Sequence, residues 1–309
     1  MKIKTELTVG YAHPAYAAAL AEFGRPRALI KSGSWILERP IPGASARDAM
    51  GCYPLFACPE WSLLGDDLEA IGQDLVSLIV VTDPFGNYTE AMLRRTFNDL
   101  VVPFKEHFIV DLQHDLESFV HSHHQRNARK ALRELTVERA AHPAEFLDEW
   151  NSLYANLIER HEFKGIARFS RESFARQLDV PGLELFRAIH RGKSVGITLW
   201  YVNEKQGYYH LAAYDETGYA LRASFALFWR AFEYFAAIGL RQLGLGAGSG
   251  MDGDGSDGLI RFKRGWSNAT RTTFLCGKIL NQPEYQRLSE TTGMAAVNYF
   301  PAYRKGEFL

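Results

Sequence analysis

A chain of 309 residues with 47% hydrophobic, 13% aromatic and only 23% charged residues has enough apolar side chains for substantial cores, which excludes a disordered protein; the length fits two domains of about 150 residues each. A formal net charge of −1 excludes a global attraction to nucleic acid or an anionic membrane, so a polyanion would have to meet a local basic patch. Cys52, Cys58 and Cys276 form neither a disulfide framework nor a usual zinc spacing, no apolar run approaches the ~18 residues of a membrane span, and the first residues lack the apolar core of a signal peptide, so a reducing cytoplasm is expected.

In chain order, Leu29–Arg39 alternates around Gly33 and reads as a strand or hairpin, and Tyr53–Cys58 reads as a second extended segment. Leu64, Leu68, Ile71 and Leu75 recur at helical spacing within Trp61–Leu75. The β-branched run Leu75–Thr82 ends at Asp83-Pro84-Phe85-Gly86 as a buried strand, Thr89–Leu100 reads as a helix, and Phe104–Leu112 as a strand. Leu116–Leu135 is read as one helix of about five turns. On it Arg126, Arg129, Lys130 and Arg133 share one face, which is either a solvated, ion-paired stripe or a phosphate contact. His121 and His124 could share a metal, His123 and His124 could not, and no third ligand stands nearby; no metal is expected.

After a short strand at Thr136–Arg139, Pro143–His161 is an amphipathic helix and Ser170–Leu178 a shorter one capped by Ser170. Leu183–His190, Val195–Val202, Tyr208–Ala213 and Leu240–Leu245 read as strands. Between the last two, Phe225, Phe228, Trp229, Phe232 and Phe235 mark a core helix that Gly239 terminates. That helix begins near Leu221–Ser224, where free backbone N–H groups, the helix dipole and Arg222 suit a pyrophosphate. In the loop Gly246–Gly258, Gly248-x-Gly250-x-x-Gly253 lacks a following helix, and Asp252–Asp257 lacks the glycine and acid of a calcium loop, so the loop is expected to be a lid.

The order of elements, the segment Arg126-Asn127-Ala128-Arg129-Lys130-Ala131, the core Phe262-Lys263-Arg264-Gly265-Trp266 within Gly258–Trp266, and the ending Tyr299-Phe300-Pro301-Ala302-Tyr303-Arg304 resemble the FemAB-like branch of the GNAT acyltransferase superfamily, close to the BioF2-like acetyltransferases. The resemblance implies an α/β (α+β) protein of two tandem GNAT-like modules with mixed sheets flanked by helices. The expected division is a degenerate module at 1–113, a linking basic helix at 114–135, an acyltransferase module at 136–282 and a tail at 283–309 packing back on the protein. It implies N-acyl transfer from acyl-CoA to the amine of a small molecule or cell-envelope precursor, or aminoacyl transfer from tRNA to a peptidoglycan precursor. A non-catalytic ligand-binding module is the third reading. GNAT enzymes usually hold the CoA pyrophosphate on an Arg/Gln-x-x-Gly-x-Gly/Ala loop; here that place reads Asp215-Glu216-Thr217-Gly218-Tyr219-Ala220-Leu221-Arg222-Ala223-Ser224, so Gly218, Tyr219, Arg222, Ala223 and Ser224 are the expected cofactor residues. An amine attacking a thioester needs a base and a proton donor, for which His210 and Tyr214 are the candidates. Arg261, Lys263 and Arg264 are expected to hold a phosphate or carboxylate of the substrate.

Overall fold

The structure is a computed structural model and describes residues 8–161, 168–203, 205–248, 258–294 and 299–307. The chain begins with α1 (Pro14–Ala19), β1 (Arg25–Leu29), β2 (Ser34–Pro40), β3 (Arg47–Gly51), α2 (Leu64–Ile71), β4 (Ser77–Val81), α3 (Glu90–Thr96) and β5 (Leu100–Asp111). It continues with α4 (Leu116–Phe119), α5 (Ser122–Glu134), β6 (Thr136–Arg139), α6 (Leu147–His161), α7 (Arg171–Leu178), β7 (Leu183–His190), β8 (Lys193–Val202) and β9 (Gln206–Tyr214). Then follow α8 (Glu216–Ala220), α9 (Ala223–Ala237), β10 (Gln242–Gly244), α10 (Gly258–Arg264), β11 (Ala269–Ile279) and α11 (Gln282–Thr291). This is the mixed α/β class expected from the sequence. No helix among the described residues is long and apolar enough to cross a membrane.

Two compact units are present, the first built from Met1–Phe104 and Thr272–Leu309, the second from Lys105–Phe163 and Ala167–Arg271. These boundaries differ from the expected 1–113, 114–135, 136–282 and 283–309. The basic helix is no linker: Ala128 and Ala131 of α5 are buried in the same core as Ala226, Leu227 and Phe228 of α9. The C-terminal segment starts earlier than 283 and belongs to the first unit.

In the first unit β1 and β2 form a hairpin around Gly33 (φ +71°), β2 pairs antiparallel with β3, β3 parallel with β4, and β4 antiparallel with Leu275–Ile279 of β11. Its core holds Ile36, Phe56, Leu64, Leu68, Leu78 and Cys276. The expected strand Tyr53–Cys58 makes a single bridge, Phe56 to Thr82, and the paired strand is Arg47–Gly51 instead. Its sequence Arg-Asp-Ala-Met-Gly hides the strand because a charge, Asp48, occupies a fully buried position. The Asp48 carboxylate accepts from Arg304 Nη2 at 2.9 Å and from the Tyr303 hydroxyl at 3.1 Å, so the end of the chain supplies its neutralising partner.

In the second unit the strand order is β5-β10-β9-β8-β7-β6. Every pair is antiparallel except β10 with β9. Helix α9 lays Phe228, Phe232 and Phe235 against Trp200 and Trp266, all buried, each side chain contributing roughly 1.5–3 kcal/mol on leaving water. The stripe repeats at three and four residues because 3.6 residues make a turn. Gly239 (φ +86°) ends the helix as expected, with Leu240 N–H returning to the Phe235 carbonyl. Ser170 caps α7 by accepting from Ser173 N–H at 3.0 Å. The single helix expected over Leu116–Leu135 is broken: Val120 and His121 are extended, and the His121 ring accepts from His123 N–H to start α5.

Candidate active site

Strand β9 pairs with β10 only over Gln206–Tyr208, yet it continues to Tyr214. Beyond Gly244 the chain follows β5 instead, with Leu245 N–H on the Phe108 carbonyl and Phe108 N–H on the Gly246 carbonyl. The two parallel strands therefore part, and Tyr209–Tyr214 has no strand partner on that side among the described residues. The parted edge runs up to the loop that starts α8 and α9.

That loop divides into two parts with opposite chemistry. Asp215 caps α8, its carboxylate accepting from Gly218 N–H at 2.7 Å, and Glu216 adds a second acid to the first turn. Gly218 is thus engaged by a carboxylate, and its lack of a side chain serves packing: a Cβ there would lie 2.0 Å from the Val195 carbonyl oxygen. One turn later the situation reverses. Helix α9 has no capping side chain and no acid in its first turn, and it begins at Arg222, which sits in the left-handed region (φ 60°, ψ 41°). Ala223 and Ser224 carry the first N–H groups of a 15-residue helix, where the dipole favours an anion. Of the expected cofactor residues, Arg222 is exposed and Ser224 half-buried at this helix start, Ala223 is fully buried, and exposed Tyr219 lines a cavity with Tyr214.

This cavity, of about 700 Å³, is lined by Asn156 and Glu159 of α6 together with Tyr214, Asp215, Glu216, Thr217 and Tyr219. Among the described residues its lining carries three carboxylates and no cation, which favours an ammonium group. Burial holds the Tyr214 phenol well above its ordinary pKa, followed by the effects of Tyr209 and Tyr219, so it stays protonated and able to donate.

His210 lies elsewhere. It is buried, its Nε2 is 2.9 Å from Gln177 Oε1, and its ring packs 5.1 Å from that of Tyr201. Burial pushes its pKa down to about 3. The structure thus sets His210 in the core between β9 and α7, outside the lining of the Tyr214 cavity, because the α6 and α7 helices close over this face of β9. Between pH about 3 and 6.5 the unfolded chain binds a proton that folded His210 refuses. Stability is therefore expected to fall as pH drops through that window, by up to about 1.4 kcal/mol per pH unit. Urea titrations from pH 4 to 7 should show a shallower slope for His210→Gln; an unchanged slope contradicts the assignment.

The three basic residues of α10 separate as helical geometry requires. Arg261 and Arg264, three apart, share an exposed face, while Lys263 is buried. Its Nζ donates to the Ala247 carbonyl at 2.6 Å and lies 5.8 Å from the centre of the Tyr209 ring. Sequence reasoning missed its companions on β5. Lys105 donates to the Gly248 carbonyl at 3.4 Å, and His107 is pushed down to about 4 by burial and then by Lys263 and Lys105. The signal was available in strand alternation, which puts Lys105 and His107 on one face. Residues 249–257 of the expected lid lie outside the described residues. Among the described residues no group of three His, Cys, Asp or Glu could hold a metal.

Residues 121–264 match the family model of the acetyltransferase (GNAT) domain. That stretch of the chain carries a GNAT acetyltransferase domain. The chain's fold is similar to that of FemX, with a TM-score of 0.66 at 14% identity over 89% of this chain and 93% of that one. It is similar also to a C-terminal domain assigned to lysylphosphatidylglycerol synthetase in Agrobacterium fabrum, with a TM-score of 0.63 at 14% identity over 96% of both chains. For L-PGS from Bacillus licheniformis the TM-score is 0.60 at 16% identity, over 87% of this chain and 93% of that one. At these identities the likeness shows the fold. A search of curated proteins finds no match. The GNAT family generally uses acyl-CoA, an extended donor with phosphates at one end.

Proposed function

We propose that this acyltransferase passes an acyl group from acyl-CoA to the amine of a small molecule or cell-envelope precursor. The observation that carries the reading is the edge Tyr209–Tyr214, which leads to the uncapped start of α9. An extended, amide-bearing arm can add to such an edge as a further strand. Phosphates then meet the N–H group of half-buried Ser224 and the exposed guanidinium of Arg222. The thioester supplies the electrophilic carbonyl and the leaving thiolate. The carboxylates of Glu159, Asp215 and Glu216 gather the amine, whose proton leaves through the same mouth, and Tyr214 donates to the leaving group. His210 positions α7 against β9 and takes no proton in this scheme.

Tyr214→Phe is expected to lower kcat on the order of 100-fold with little change in KM, since it removes a proton donor and leaves the ring. A steady-state assay with wild-type kcat in this variant sinks the role of Tyr214. For the donor, acetyl-CoA should raise Tm in wild-type protein and much less in Arg222→Gln.

A second reading, tRNA-dependent aminoacyl transfer to a peptidoglycan precursor, is favoured by one feature of α5. Arg129 pairs with Glu117 at 3.0 Å, but Arg126, Lys130 and Arg133 are exposed with no ion pair among the described residues. Such a stripe suits a polyanion, and FemX shares the fold. No thermal shift with any CoA, together with salt-sensitive tRNA retention that Arg126→Gln/Lys130→Gln/Arg133→Gln abolishes, would replace the first reading by this one.

A further inference from the structure

A second cavity in the same unit, of about 630 Å³, lies at the start of α5, the first turn of α9 and the length of α10. Its apolar wall comes from Phe119, Phe225 and Phe262. The ring of His124 completes the floor. It is buried, its Nε2 bonds the Phe262 carbonyl at 2.9 Å, and Gly265 lets it fit, since a Cβ there would come within 2.3 Å of the ring. Against this floor the rim is made of donors. Arg261 and Arg264 present two guanidiniums on one helix face. His121 uses Nδ1 to accept from His123 N–H at 3.2 Å, which in the neutral ring leaves the proton on Nε2. Among the described residues no carboxylate lines the cavity. In this unit Arg139 pairs with Glu184 and Arg187 with Glu149, whereas Arg261 and Arg264 have no carboxylate within ion-pair distance among the described residues.

We propose that this cavity binds an organic anion with an apolar or aromatic body, its carboxylate or phosphate held by Arg261 and Arg264 and its body laid on Phe119, Phe225 and Phe262. Planar guanidiniums grip such heads in two-point fashion, and the rings cover an apolar body that a hydrated inorganic ion lacks. Its role rests on the acyl-transfer reading: the anion is the far end of the acceptor, so the enzyme selects amines that also carry a negative charge.

The test is binding by calorimetry with phenylacetate and phenyl phosphate, against benzyl alcohol and phenethylamine as neutral and cationic counterparts of similar shape. At least one anion should bind 10-fold or more tightly than either counterpart, and the tighter anion identifies the head. Arg261→Gln/Arg264→Gln should weaken that anion at least 10-fold without moving Tm, because both side chains are exposed. Equal binding of benzyl alcohol, unchanged binding in the double variant, or no binding of either anion overturns the proposal. Arginine-dependent binding without acyl transfer to any amine would keep the site and remove the acyl-transfer reading. Transfer to an anion-bearing amine with wild-type kcat/KM in the double variant would do the reverse.

Discussion

Replacing Gly218 by alanine should destabilise the second unit by about 3 kcal/mol, the upper part of the usual range for overpacking. The added Cβ would stand 2.0 Å from the Val195 carbonyl oxygen and 3.0 Å from its carbon, and both belong to backbone that cannot rotate away. That same carbonyl accepts the Asp215 N–H at 3.1 Å, so moving it breaks the contact by which β8 holds the start of α8. The expected fall in Tm is roughly 6–12 °C at 2–4 °C per kcal/mol for a unit of this size. Gly258→Ala is the control, because a Cβ there meets nothing within 4 Å. If calorimetry puts both variants within a degree of wild type, α8 does not pack on β8 as described. Acyl transfer should suffer as well, since Tyr219 and the Arg222–Ser224 turn follow directly from α8.

In the first unit, Asp48→Asn should cost about 3–5 kcal/mol, the range for breaking a buried ion pair from one side. The carboxylate is fully buried; Arg39 and Arg304 approach it with side chains only 9% and 4% exposed. The amide would leave these guanidiniums with Glu307, 3.4 Å from Arg39 and 2.7 Å from Arg304, as the remaining acid. Loss of Arg304 in the Asp48→Asn background should cost less than in wild type, because the two side chains act as a unit. Urea denaturation of the four proteins measures this directly. A loss below 1 kcal/mol for Asp48→Asn, or strict additivity, contradicts the burial. Disruption of the exposed pair Arg230–Glu233, by contrast, should be within experimental error.

These two sites show how unevenly structure is written in a sequence. The phenylalanines of α9, the alternation of β7 to β9, the Ser170 cap and Gly239 act through neighbours a few residues away, and local periodicity exposes them. Asp48 and Arg304 are 256 positions apart, and a charged residue in a strand-length segment reads as a surface until its partner is known. The break at Val120 and His121 escaped for a related reason: no proline or glycine marks it, and the sequence on both sides is compatible with helix.

The candidate site divides in the same way. From the sequence alone follow the existence of an α/β fold, the helix start near Leu221–Ser224, the basic character of Arg261–Arg264, and the resemblance to the acyltransferase superfamily. Each depends on residue type and short spacing. Only the tertiary structure decided that His210 is closed over by α6 and α7 and bonded to Gln177, that Lys263 turns inward toward Tyr209 while Arg261 and Arg264 turn outward, and that β10 leaves β9 after Gly244. Burial and strand separation come from contacts between distant segments, and these set which groups keep their charge, their protons and their access to a substrate.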